Sequence, residues 1–121
     1  MSDKPPLEVE KAKEIVDGDI PLFEELLKAF VENSTLQLNE IGDAIRGEDA
    51  EKVRFFSHQL KSACKSLAAE EAAVVAYTLE KKGKNGDCKD MPDLFEELIH
   101  RVNEIGSYYS TGQWKKDFII W

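Results

Sequence analysis

No stretch of this chain approaches the roughly 18 consecutive apolar residues that a membrane-spanning helix requires. The opening Met1-Ser2-Asp3-Lys4-Pro5-Pro6 also lacks the apolar core of a secretion signal, so a cytoplasmic protein is expected. Cysteine is scarce. Cys64 falls in an apolar stripe and Cys88 in a turn-like segment, and neither belongs to a Cys-x-x-Cys pair. That excludes a disulfide framework and leaves zinc and redox readings unsupported; two free thiols in a reducing compartment are expected. Positive charge is in the minority, with 16 Lys and Arg against 24 Asp and Glu and a net charge of −8. Whole-chain attraction to nucleic acid or to an anionic membrane is excluded on that balance. Glycine-rich nucleotide loops are missing as well, so the chain is not expected to bind ATP or to act as a kinase. The partners left by these absences are other proteins or small molecules.

Alternating strand patterns are also missing from the first 110 residues, and what occupies them is helical periodicity. At 121 residues and 42% apolar content the chain can bury one core but not two comfortable ones. Residues 1–6 read as a flexible arm. From residue 7 to about 18, Leu7, Val9, Ala12, Ile15 and Val16 make a weak amphipathic packing arm ended by Gly18. Asp19 can cap a long helix with Pro21 in its first turn, and Phe23, Leu27, Phe30, Leu38, Ile41 and Ile45 carry its stripe to Gly47. Asp49 caps the next helix, striped by Val53, Phe56, Leu60, Ala63, Cys64 and Leu67, and running to about Ser66. After a tight corner at Leu67-Ala68-Ala69, a third helix presents Ala72, Val75, Ala76 and Leu79 until Gly83 and Gly86 break it. Asp90 starts the fourth, with Met91, Leu94, Phe95, Leu98, Val102 and Ile105 inward. Four one-faced helices on short connectors bury their stripes together only as antiparallel neighbours. The expected fold is all-α: an up-down four-helix bundle over residues 7–110, with an apolar tail at 111–121 packing back on it.

Histidine occurs only at 58 and 100. Glu97-Leu98-Ile99-His100 has the Glu-x-x-His spacing of di-iron bundles, yet such a centre takes two copies, and His58 has Phe55 rather than an acid three residues before it. No metal site is expected. Stepping about 100° per residue sets His58 opposite the Val53-Leu60-Leu67 stripe, and brings Arg54, Lys61, Ser62 and Lys65 onto the imidazole's side. Between Lys52 and Ala69 there is no Asp or Glu, while Lys52, Arg54, Lys61 and Lys65 all fall there. This makes a positive helix face on a negative protein, suited to steering an acidic partner. Phe55, about 60° from His58 around the helix, adds an apolar anchor beside that charge.

The segment His58-Gln59-Leu60-Lys61-Ser62-Ala63 resembles the His-x-Leu-Lys-Gly/Ser-Ser/Ala signature of histidine-containing phosphotransfer domains, the carriers of multistep two-component phosphorelays. The resemblance continues through Leu67-Ala68-Ala69 and Leu79-Glu80, and upstream through Gly18-Asp19, Leu26-Leu27 and Phe30, covering residues 18 to 109. Ala68 stands where the family usually has glycine, and Ala63 where serine is common. The resemblance implies that His58 accepts a phosphoryl group from a receiver-domain aspartate and hands it to another receiver. Lys61 and Ser62 would stabilise or admit the phosphoryl group, and Arg54, Phe55 and Lys65 would contact the partner. Partners would be receiver domains of response regulators or of a hybrid histidine kinase. Magnesium would come from the receiver, so no cofactor is expected here. A neutral imidazole is the nucleophile, and with a reference value of about 6.5 most histidine is neutral at pH 7.

Glu80 reads here as a brace of the bundle and His100 as a solvated residue. A monomer is expected, and a free-standing one, since Met1 opens the chain and no kinase module follows. The alternative function on the same bundle is a receiver-binding module that carries no phosphate. The tail Gly112-Gln113-Trp114-Lys115-Lys116-Asp117-Phe118-Ile119-Ile120-Trp121 lies outside the resemblance, and its closing apolar residues are expected to fold along a bundle groove rather than stay in water.

Overall fold

Two aspartates set the starts of the first two bundle helices. In the computed structural model, which describes residues 4–119, Asp19 Oδ1 accepts from the Leu22 N–H at 3.0 Å and opens α2 (Ile20–Arg46). Asp49 Oδ1 accepts from the Lys52 N–H at 3.1 Å and opens α3 (Ala50–Ser66). Each carboxylate satisfies one N–H that the first turn leaves without a partner and sits favourably against the helix dipole. The remaining elements are α1 (Val9–Ile15), α4 (Glu70–Lys84), α5 (Met91–Ser110) and α6 (Gln113–Phe118), and no strand occurs among the described residues.

Helix α2 packs on α3, α3 on α4, α4 on α5 and α5 on α2, so the four long helices close into a ring with one interior. The predicted stripes fill it: Phe23, Leu27, Ile41, Val53, Leu60, Leu67, Ala76, Leu79, Leu98 and Ile105 are all essentially inaccessible. Cys64 joins them, and burial pushes its thiol up to about 12. Asp90 starts α5 as expected, from a left-handed conformation at φ 64° and with no side-chain hydrogen bond to the helix. Two expectations are corrected. Gly83 does not break α4, which runs through it to Lys84. Ile15, placed on the arm's packing stripe, is exposed.

The corner between α3 and α4 keeps the geometry of glycine without glycine. Ala68 sits at φ 58°, in the left-handed region that L side chains enter at a cost of roughly 1–2 kcal/mol. Its N–H and that of Ala69 bond back to Lys65 O and Cys64 O at 3.0 and 2.9 Å, closing the end of α3. The arm before α1 and the start of α1 lie across this corner: Glu8 N–H donates to Ala68 O at 2.8 Å, Leu7 is buried, and Lys4 of the arm and Lys11 of α1 pair with Glu71 and Glu70 at 2.8 and 2.7 Å. The described part of the expected flexible arm is therefore laid against α4, while residues 1–3 lie outside the described residues.

The tail forms α6 and turns back on the bundle. Trp114 and Phe118 are buried, Phe118 stacking on Phe23 at 4.1 Å between ring centroids, and the Tyr108 hydroxyl donates to Asp117 at 2.7 Å. Ile119 is exposed rather than packed, and Ile120 and Trp121 lie outside the described residues.

Gly83 fixes how closely α3 and α4 approach. A Cβ there would lie 2.6 Å from Ala50 O and 2.7 Å from Arg54 N, both backbone atoms that cannot step aside. Gly83→Ala should push the helices apart and cost about 1–3 kcal/mol, the usual range for overpacking, read as a lowered urea midpoint. Truncation after Ser110 should also destabilise the bundle, since deleting a buried Trp side chain alone costs about 3–5 kcal/mol; an unchanged midpoint would show that α6 is not part of the core.

Candidate functional site

The contact at Gly83 sets the register of everything on this face. Because α3 and α4 run antiparallel and touch where Gly83 meets Arg54, one turn forward on α3 and one turn back on α4 bring His58 beside Glu80. His58 Nδ1 lies 3.0 Å from Glu80 Oε2, and Lys61 Nζ lies 2.8 Å from Oε1 of the same carboxylate. One acid thus holds both the imidazole and the ammonium three residues further along α3.

Burial divides the three unequally. The His58 side chain is 55% exposed, whereas those of Glu80 and Lys61 are only 18% and 15% exposed. Burial alone would raise the Glu80 carboxyl, but the Lys61 and His58 partners outweigh it and hold the group below the usual carboxylate range. An ionised Glu80 can only accept, so its partner nitrogen Nδ1 carries the proton. The lone pair of a neutral ring is then on Nε2. The chemistry available is nucleophilic attack from Nε2, with a carboxylate behind the ring to offset positive charge that develops on it.

Of the residues singled out from sequence, His58 and Lys61 meet in this cluster. Ser62 is exposed on the same helix face, one turn past His58, and Phe55 is exposed nearly one turn before it, its ring edge against Phe56 at 5.3 Å. Lys65 is exposed at the end of α3. Arg54 is paired with Glu51: its Nε donates to Glu51 Oε1 at 3.0 Å, and Nη2 contacts the same oxygen. The expected acid-free positive face is corrected accordingly. Glu51 occupies one of its cations, and Glu80 brings a negative charge from α4 into its middle. His100 lies on the outer side of α5, 3.8 Å from Glu104.

Two residues of the cluster were not identified as site residues from sequence. From spacing alone Glu80 is a brace of the bundle, and nothing distinguishes Tyr77. Tyr77, Glu80 and Lys81 lie three and four residues apart, off the Ala72-Val75-Ala76-Leu79 stripe, and so share an outer face of α4. The Lys61 and Lys81 ammonium groups each lie 5.0 Å from the Tyr77 ring centroid. That spacing was available in the sequence; its position opposite His58 was not.

With this geometry in view, comparison with known proteins is informative. Residues 25–108 match the family model of the Hpt domain. The chain belongs to the Hpt family. Hpt domains are histidine phosphotransfer carriers of phosphorelays, not kinases. The fold is that of the crystal structure of histidine-containing phosphotransfer protein B (HptB) from Pseudomonas aeruginosa PAO1, with a TM-score of 0.78 and 21% identity over 93% of this chain and 98% of that one. At that identity the likeness carries the architecture alone. A search of curated proteins gave no significant match. No helix among the described residues is long and apolar enough to cross a membrane.

The depressed Glu80 carboxyl makes an acid-side prediction for this Hpt domain. A carboxyl whose folded value lies below its unfolded one adds stability that is present above the unfolded value and is lost as pH falls through the folded value. Glu80→Gln should therefore be less stable than the parent at pH 7, and the gap should close below about pH 4. Urea midpoints at pH 7 and pH 3 check this; a gap of equal size at both would mean that the ionised carboxylate is not what stabilises the cluster.

Proposed function

We propose that this chain carries a phosphoryl group on His58 Nε2, taking it from an aspartyl phosphate of one receiver domain and passing it to an aspartate of another. The observation that carries the reading is the 3.0 Å contact between His58 Nδ1 and Glu80, on a ring that is otherwise turned to solvent. With Nδ1 protonated and engaged, Nε2 is the outward atom and the nucleophile.

In the accepting step the Nε2 lone pair bonds to phosphorus as the phosphorus–oxygen bond to the receiver's aspartate breaks, and that carboxylate leaves with the bonding pair. No proton has to move. The ring keeps its Nδ1 proton and acquires positive charge, which Glu80 offsets from the far side. In the donating step the electrons return to the ring and a neutral imidazole is regenerated. Group transfer in either direction then needs positioning and charge stabilisation more than acid or base catalysis. Lys61 shares the Glu80 carboxylate with this ring, and it stabilises the negative oxygens of the bound group. Ser62, small and exposed one turn on, leaves room for the receiver's active site and offers a hydroxyl. Phe55 and Lys65 meet the partner around the ring, and Arg54, paired with Glu51, sits at the edge of that contact.

The donors and acceptors on this reading are receiver domains of response regulators or of a hybrid histidine kinase, the magnesium belongs to the receiver, and the carrier works as a cytoplasmic monomer. Incubation with a phosphorylated receiver should give an acid-labile, base-stable label on the parent and none on His58→Gln, while ATP alone should label neither. Label that persists in His58→Gln would sink the assignment. Stable complex formation with receivers but no label from any cognate one would favour the alternative, a binding module that carries no phosphate.

A further inference from the structure

Lys61 is an unusual surface lysine. Its ammonium ends on the outer face beside an exposed histidine, yet only 15% of the side chain meets solvent. Glu80 accounts for one contact. The other is the ring of Tyr77, whose centroid is 5.0 Å from Nζ, inside the roughly 6 Å over which an aromatic face attracts a cation. Tyr77 itself is 46% exposed and lies off the core stripe of α4, so hydrophobic burial does not explain its position.

The division of labour between the two contacts follows from charge. Glu80 is shared with His58, and a phosphoryl group arriving on that ring competes with the carboxylate for the same ammonium. An aromatic face attracts the cation without presenting a formal negative charge that would repel the phosphoryl oxygens. Lysine is otherwise a flexible stem that loses rotamer freedom whenever its head is fixed. The Tyr77 ring fixes it beforehand. Lys81, 5.0 Å from the same centroid, places a second cation beside this face.

We propose that Tyr77 is a positioning residue of the phosphotransfer site, holding Lys61 beside the His58 ring ready to meet the phosphoryl group. This rests on the phosphoryl-carrier reading and adds to it a residue on the neighbouring helix that acts only through Lys61. The aromatic ring is the working part, and the phenolic hydroxyl is dispensable.

The test uses the full chain and phosphoramidate, a small donor that needs no docking surface; its phosphorus–nitrogen bond breaks, ammonia leaves, and the Nε2–phosphorus bond forms. Tyr77→Leu should take label about three- to tenfold more slowly than the parent and Tyr77→Phe within about twofold of it, the range that a partly exposed cation–aromatic contact spans. In a Lys61→Gln background Tyr77→Leu should change nothing further, since the two act as one unit. The ε-methylene protons of Lys61 should resonate upfield in the parent through the ring current, and should lose that shift in Tyr77→Leu. A folded Tyr77→Leu variant labelled at the parent rate, or an equal loss in the Lys61→Gln background, would overturn the inference. So would Lys61 methylene protons at their solvent-exposed position in the parent, whatever the variants do. A parent that takes no label on His58 from phosphoramidate or from any phosphorylated receiver would instead defeat the carrier reading, and this inference with it.

Discussion

The approach of α3 to α4 at Gly83 is the constraint on which the functional face depends. Two helices come this close only where one of them offers no Cβ, and here the missing atom would collide with the Ala50 carbonyl and the Arg54 amide. The crossing also determines register. Antiparallel helices pinned at one point have their neighbouring turns paired by geometry, so His58 and Glu80 meet because each lies one turn from the pin. The same pin draws Tyr77 alongside Lys61, and Lys81 lies 5.0 Å from the same ring. At the other end, the Ala68 corner holds the two helices in that register, and the arm bonded to Ala68 O covers it.

Within that frame one carboxylate organises the chemistry. Glu80 is mostly removed from water, a situation that disfavours its charge, and two partners with nitrogen donors reverse the balance. The consequence is directional. An acceptor fixed behind the imidazole determines which nitrogen keeps the proton and which faces outward. The surrounding protein is acidic, with a net charge of −8, and Lys61 and Lys81 make the field local to this face more positive than that of the whole chain. The positive charge is local and tethered, one ammonium by Glu80 and Tyr77, the other by Tyr77.

The core and the site differ in how far they could be read before folding. The heptad-like stripes at Phe23-Leu27, Val53-Leu60 and Leu98-Val102-Ile105 identify buried faces because periodicity is a property of a single helix. Asp19 and Asp49 identify helix starts for the same reason: a cap acts within its own turn. Asp90 also marks a helix start, although the chain enters α5 there from a left-handed residue whose side chain makes no capping hydrogen bond. Gly83 shows the limit of such local rules: as a local signal glycine reads as a break, but a helix tolerates it where a neighbouring backbone fills the space.

The sequence by itself determined that this chain is an all-helical Hpt domain, that His58 turns away from the core, and that Lys61 and Ser62 share its side, because all of these follow from spacing within one helix or from a contiguous motif. Tertiary structure alone decided that Glu80 is the partner of His58 and that Tyr77 lies against Lys61. His58 and Glu80 are 22 residues apart in sequence. Their contact depends on how closely two helices approach and on where the corner between them turns, and the periodicity of either helix carries neither quantity.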